Sequence, residues 1–209
     1  MIGLICKDFY TMRGYLWKQL GFMVVIYLAI SLIVKSTIFL SAMTMMLVIN
    51  STVSTFALDE NAKWNSYALT LPLTPAQIVL AKYLYALLSL LICGGSVTVL
   101  SILVDSFTFH EGAGLLAASS LGIFLVYQLT EMLTIPIYFK VGVEKARLIS
   151  VILYVIPFFV IVGILPSVDL TWMESLPLAG VAVGFAGIVI AASILSYLLS
   201  VQILSRKEF

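Results

Sequence analysis

The sequence predicts an all-α polytopic membrane protein with six transmembrane helices, and three observations carry that prediction. Of the 209 residues, 62% are apolar and only 10% are charged, against roughly 45–50% and ~25% in soluble domains. The mean hydropathy is +1.16, so polar material is too scarce to cover a core in water, and lipid must solvate most of the surface. The apolar runs are nearly continuous, as in Phe22–Ile33 and Leu84–Cys93. They do not alternate every second residue, as the strands of a membrane barrel would.

The elements follow in order from the charges and Gly/Pro clusters that interrupt those runs. Ile5, Phe9, Met12 and Leu16 share one helical face, with Lys7, Asp8 and Arg13 elsewhere, which predicts an interfacial helix over 1–16. A hydrocarbon core of ~30 Å needs about 20 apolar residues per helix, and the first two stretches that qualify are Trp17–Val34 and Thr37–Leu58. The second contains Ser41, Thr44, Asn50, Ser51, Thr52, Ser54 and Thr55. Such side chains bond to their own helix backbone or face another helix or a wet cavity; Asn50 and Ser54 are read as facing a path. Met43, Met45 and Met46 either pack or offer a soft surface that can repack around cargo.

Between the second and third spans, Trp64, Tyr67, Ala68 and Leu71 recur at helical spacing, with Asp59, Glu60 and Lys63 at the start of the segment. A short helix over 59–71 is expected, with Asp59 four residues before Lys63 as a supporting pair. Pro72 stops it. Thr74, Pro75 and Gln77 then read as an N-cap, a first-turn proline and a capping-box partner. The helix either anchors Trp64 and Tyr67 among headgroups or docks into a cytosolic partner.

The third span is expected over Ile78–Val104, where Gly94-Gly95-Ser96 reads as a packing patch, and the fourth over Gly114–Phe139. Glu131 is the one carboxylate well inside a span, roughly 13 Å from Lys140 at 1.5 Å per residue. An acid there costs about 2.5–3.5 kcal/mol on insertion scales, so it should avoid lipid. With Gln128 and Thr134 it forms a polar seam that either packs or lines a path. The fifth and sixth spans are Leu148–Leu165 and Leu176–Leu204. Pro136 and Pro157 remove helical hydrogen bonds and are possible hinges. Gly180, Gly184 and Gly187 suggest close packing against another span of the chain.

Lysine and arginine fall on one side of this topology except for Lys35, while the loops 105–113 and 166–175 are acidic and carry Phe107, Phe109 and Trp172. The positive-inside bias therefore places both termini, including Arg206 and Lys207, in the cytoplasm. One membrane domain over 1–209 is expected. A net charge of +1 argues against nucleic-acid binding. Cys6 and Cys93 imply no disulfide framework. The sequence contains no metal-ligand spacing, activated nucleophile or nucleotide-cradling glycine loop, so an enzyme is not expected and ATP-driven work would need a separate subunit. An ion-coupled secondary transporter or a non-transporting membrane sensor are the alternatives, and Glu131 alone speaks for the first.

The run Leu58–Pro72, continued by Ile78–Tyr83, resembles the cytoplasmic loop of ABC-2 type transporter permeases. It is most similar to the small six-span branch that includes the permease subunit of a phenol-soluble modulin peptide exporter. That resemblance implies two permease protomers, as homo- or heterodimer, with two cytosolic ATPase subunits that bind ATP and Mg. The 59–71 helix would be a coupling helix with Asp59, Glu60, Lys63, Trp64, Tyr67 and Leu71 as contacts. It also implies export of an amphipathic or hydrophobic peptide across the plasma membrane of a bacterial cell, with no cofactor in this chain; Asn50, Ser54, Gln128 and Glu131, read from their polarity inside spans, are the residues expected to line its path.

Overall fold

The computed structural model describes residues 2–34, 37–68, 70–108, 110, 112–163 and 178–206. The expectations for Lys35, Phe109, the loop 166–175 with Trp172, and Lys207 lie outside these residues. So do those for the side chains of Leu16, Trp17, Ser41, Met43, Thr44, Met45, Met46 and Pro157.

The elements in chain order are α1 Ile2–Val34, α2 Ile38–Asn61, the one-turn α3 Trp64–Ala68, α4 Pro75–Ser89, α5 Gly95–Phe107, α6 Ala113–Val141, α7 Val143–Gly163 and α8 Leu178–Arg206. A π turn over Leu90–Gly94 joins α4 to α5 without a break. No strand occurs among the described residues, so the all-α prediction holds. Within them, three helices are long and apolar enough to cross a bilayer: Pro75–Phe107, Ala113–Val141 and Val183–Arg206.

The start of α4 forms as its residues dictate. Thr74 accepts from Gln77 N–H at 3.3 Å, the Gln77 side chain accepts from Thr74 N–H at 3.1 Å, and Pro75 opens the first turn. The reciprocal bonds satisfy two donors that the helix cannot.

Three expectations need correction. The interfacial helix over 1–16 is not a separate element, because α1 runs unbroken from Ile2 to Val34. Its apolar face is covered by protein: Met12 is buried, and the Phe9 ring lies 4.8 Å from that of Tyr85 on α4. With that stripe seated on α4, nothing forces the chain to turn into the interface. The helix over 59–71 is also divided. α2 continues to Asn61, Lys63 adopts a left-handed φ of 50°, and α3 occupies only 64–68. That turn lets Trp64 and the fully buried Ala68 fold back onto the core. Finally, a Cβ added at Gly184 or Gly187 would meet nothing within 4 Å, so among the described residues the tight packing expected at these two glycines is not found.

The main core lies where the two ends of the loop return to the bundle. Phe56 of α2 stacks on Tyr138 at 5.2 Å and meets Phe139 edge-on at 5.1 Å, with Ile78, Val79, Met132, Ile135 and Ala146 around them. α6 packs chiefly on α8, and α1 on α2. The packing patch at Gly94 is real: an added Cβ would sit 2.8 Å from Phe124 Cζ of α6. Here the π turn, which accommodates one extra residue per turn, brings two helices into close approach.

Candidate functional site

Four charged side chains converge where the first turns of α1, the last turn of α2 and the second turn of α4 meet. Lys7 Nζ is 2.6 Å from Asp59 Oδ1 and 3.1 Å from Asp8 Oδ1. Lys82 Nζ is 2.6 Å from Asp59 Oδ2 and 3.1 Å from the same Asp8 oxygen. The result is a closed ring of alternating sign that sums to zero. Asp8, Lys82 and Asp59 are only 3%, 4% and 8% exposed. Charges this deep persist only when each is paired on more than one side, since desolving an isolated ion costs several kcal/mol. Asp59 therefore points into the bundle and does not serve Lys63 as the sequence suggested. Two aromatic faces complete the setting: Lys82 Nζ lies 5.1 Å from the Phe56 ring centre and Lys7 Nζ 4.3 Å from that of Trp64.

Through Lys7, this knot holds α3. Trp64 packs partly on the core and lies 5.6 Å from the ring of Tyr67, which is 57% exposed. Thr70 N–H and Leu71 N–H donate to Tyr67 and Ala68 carbonyls, which carry the chain out of the turn toward Thr74. The coupling candidates thus fall into two sets. Asp59 is buried, Trp64 is half-buried against the core, and Glu60, though exposed, is bound to another part of the chain; Lys63 and Tyr67 present themselves outward, and Leu71 is half-buried.

Glu60 makes a separate connection. Its Oε2 accepts from Val143 N–H at 2.7 Å, at the first residue of α7. A carboxylate suits that position because the amides of a helix N-terminus lack internal partners and carry partial positive charge.

Further along the bundle, Glu131 is 1% exposed on α6, with Thr52 of α2 and Tyr127 of α6 facing its carboxyl group. Its Oε2 and the Oε1 of Gln128 are buried without a hydrogen-bond partner. Thr134 donates back to the Thr130 and Glu131 carbonyls at 3.1 and 3.2 Å. Of the four path candidates, Gln128 and Glu131 therefore share a seam. Asn50 and Ser54 lie on another face of α2: Asn50 is exposed, and Ser54 donates to its carbonyl at 2.7 Å. Pro136 sits inside α6, which continues to Val141, and α7 continues through position 157.

Sequence reasoning did not single out Asp8 or Thr52 as site residues, and it used Lys7 and Lys82 only for orientation and the amphipathic pattern. The adjacent opposite charges at 7 and 8 were a signal, given how few charges the chain carries. Thr52 was one of several polar residues in its span, and only helical phase distinguishes it from Asn50 and Ser54. Hydroxyl pairs also tie α4 to α8, with Tyr83 Oη 2.6 Å from Ser196 Oγ and 2.9 Å from Ser200 Oγ. Ser196 reaches on to the Met132 carbonyl of α6.

A family model described as ABC-2 family transporter protein matches residues 3–205. No curated protein and no solved structure matches the chain.

Proposed function

This chain belongs to the ABC-2 transporter family, and from that premise we propose that it is the six-span permease subunit of a bacterial plasma-membrane exporter. Two permease protomers form the path, and separate cytosolic ATPase subunits bind ATP and Mg and supply the energy. The cargo is an amphipathic or hydrophobic peptide, matched to apolar walls interrupted by the Gln128 and Glu131 seam.

The observation that carries this reading is Tyr67. An aromatic residue 57% exposed, on a one-turn helix braced from behind by Trp64 and Lys7, is a rigid anchor for a partner's groove. Aromatics in such positions are frequent interface hot spots, worth about 2 kcal/mol or more when truncated. ATP-driven closure of the ATPase pair would push α3, and the four-charge knot would pass that push to α1 and α4. A ligand or partner can drive such a change only by favouring one arrangement over the other.

The test is Tyr67→Ala in the permease co-expressed with its ATPase. Because the ring is exposed, the permease should insert and melt as the native chain does. ATPase co-purification should fall about tenfold or more, as expected from a loss of roughly 1.4 kcal/mol or more. Unchanged complex yield would remove α3 as the docking element.

A further inference from the structure

Asp59 and Glu60 are neighbours in the last turn of α2, yet they engage different parts of the molecule. Successive helical residues point about 100° apart. Asp59 enters the groove between α1 and α4 and closes the ring with Lys7 and Lys82. Glu60 reaches across 83 positions of sequence to the α6–α7 corner and accepts from Val143 N–H at 2.7 Å.

That corner is built to receive it. α6 ends at Val141, α7 begins at Val143, and the single residue between them, Gly142, has φ 81° and ψ 170°. This conformation is essentially reserved for glycine. A Cβ at the same position would stand 2.9 Å from Glu60 Oε1. Backbone and space thus require glycine for separate reasons, and both leave room for the same carboxylate. Further support is local: Gly142 N–H donates to the Tyr138 carbonyl, and Ala146 N–H donates to the Gly142 carbonyl, so the corner is tied to both helices.

We propose that Glu60, seated on the Gly142 corner, is a positioning residue that makes the α3 loop and the start of α7 move as one body. The end of α2 is then a branch point. Asp59 directs a displacement of the loop to α1 and α4, and Glu60 directs it to α6 and α7, the helix pair that includes Glu131. Without the second branch, the push would reach half of the bundle.

The proposal rests on the reading of α3 as the ATPase-docking element, and the experiment separates the two. In the permease–ATPase complex with Cys6→Ser and Cys93→Ala, spin labels are attached at Lys63→Cys and Lys145→Cys, both exposed positions. A second pair reports Lys63→Cys against Phe107→Cys near the far end of α5. Distances are compared between the nucleotide-free state and the state trapped with ATP and vanadate.

With Glu60 present, the 63–145 distance should stay constant while the 63–107 distance changes. With Glu60→Asp, which keeps the charge but is one methylene too short to reach Val143 N–H, the 63–145 distance should change by about 2 Å or more on trapping. Glu60→Gln retains an acceptor at full length and should restore the constant distance. If Glu60→Asp leaves 63–145 constant, or if the distance already changes with Glu60 in place, the proposal is overturned. If neither pair responds although ATP is trapped, the docking reading falls instead.

Discussion

Two of the places where the described residues bury acidic groups, the charge ring and the middle of α6, treat them in opposite ways. At the end where α1, α2 and α4 converge, Asp8 and Asp59 are each held between two ammonium groups, in a ring that sums to zero. Within α6, Glu131 is as deeply buried but faces hydroxyls, and one of its oxygens has no hydrogen-bond partner. Burial alone therefore does not say what an acid is for. A neutral ring is a rigid joint, because removing any one member leaves a net charge out of water. A carboxyl group among hydroxyls can be replaced by a neutral group of the same shape at little cost.

The sharpest way to break that comparison is to remove one member of the ring. Lys82→Ala should destabilise the protein by about 3–5 kcal/mol, the cost of leaving buried charge uncompensated. Thermal unfolding in detergent reads it, and a change within the error of the measurement would mean that the ring contributes no rigidity.

Gly94→Ala should cost less, about 1–3 kcal/mol, because its Cβ would press on the end of the Phe124 ring and overpack the contact. Phe124→Leu in the same chain should recover part of that loss. Failure to recover would locate the strain in the π turn itself.

Glu131→Gln is expected to have the smallest effect on folding, within about 1 kcal/mol of the native chain, because the amide keeps the shape and can still bond to Thr52 and Tyr127. Cargo export should nevertheless fall severalfold if the carboxyl group lines the path. A stability loss comparable to that of Lys82→Ala would mean that Glu131 belongs to a charge network like the first, and the contrast would disappear.

What could be read from the sequence follows the range of each interaction. The capping box at Thr74 and Gln77 spans three residues, and it forms as expected. The all-α class follows from apolar runs and needs no tertiary information. Lys7 pairs with Asp59 across 52 positions, Lys82 with Asp8 across 74, and Glu60 with Val143 across 83. No local pattern encodes those partners, so the sequence offers Asp59 only the neighbouring Lys63, and the resemblance offers both acids an external protein. The interfacial helix failed for the same reason. Its amphipathic face was legible, but whether Phe9 would meet lipid or Tyr85 of α4 depended on a helix some seventy residues away. For Asn50 and Ser54 the residue types were right for a polar face, but the helical phase that turns Thr52 toward Glu131 was not resolved.

The loop between α2 and α4 is joined to α1 and α4 through mutually dependent charges, and a double-mutant cycle on Asp59 and Lys82 measures that dependence. Asp59→Asn, Lys82→Met and the double variant are unfolded side by side. The double variant should lose less stability than the two single losses combined, with a coupling of about 1.5 kcal/mol or more. Single losses that add to within about 0.5 kcal/mol would contradict it, because independent residues behave in that way.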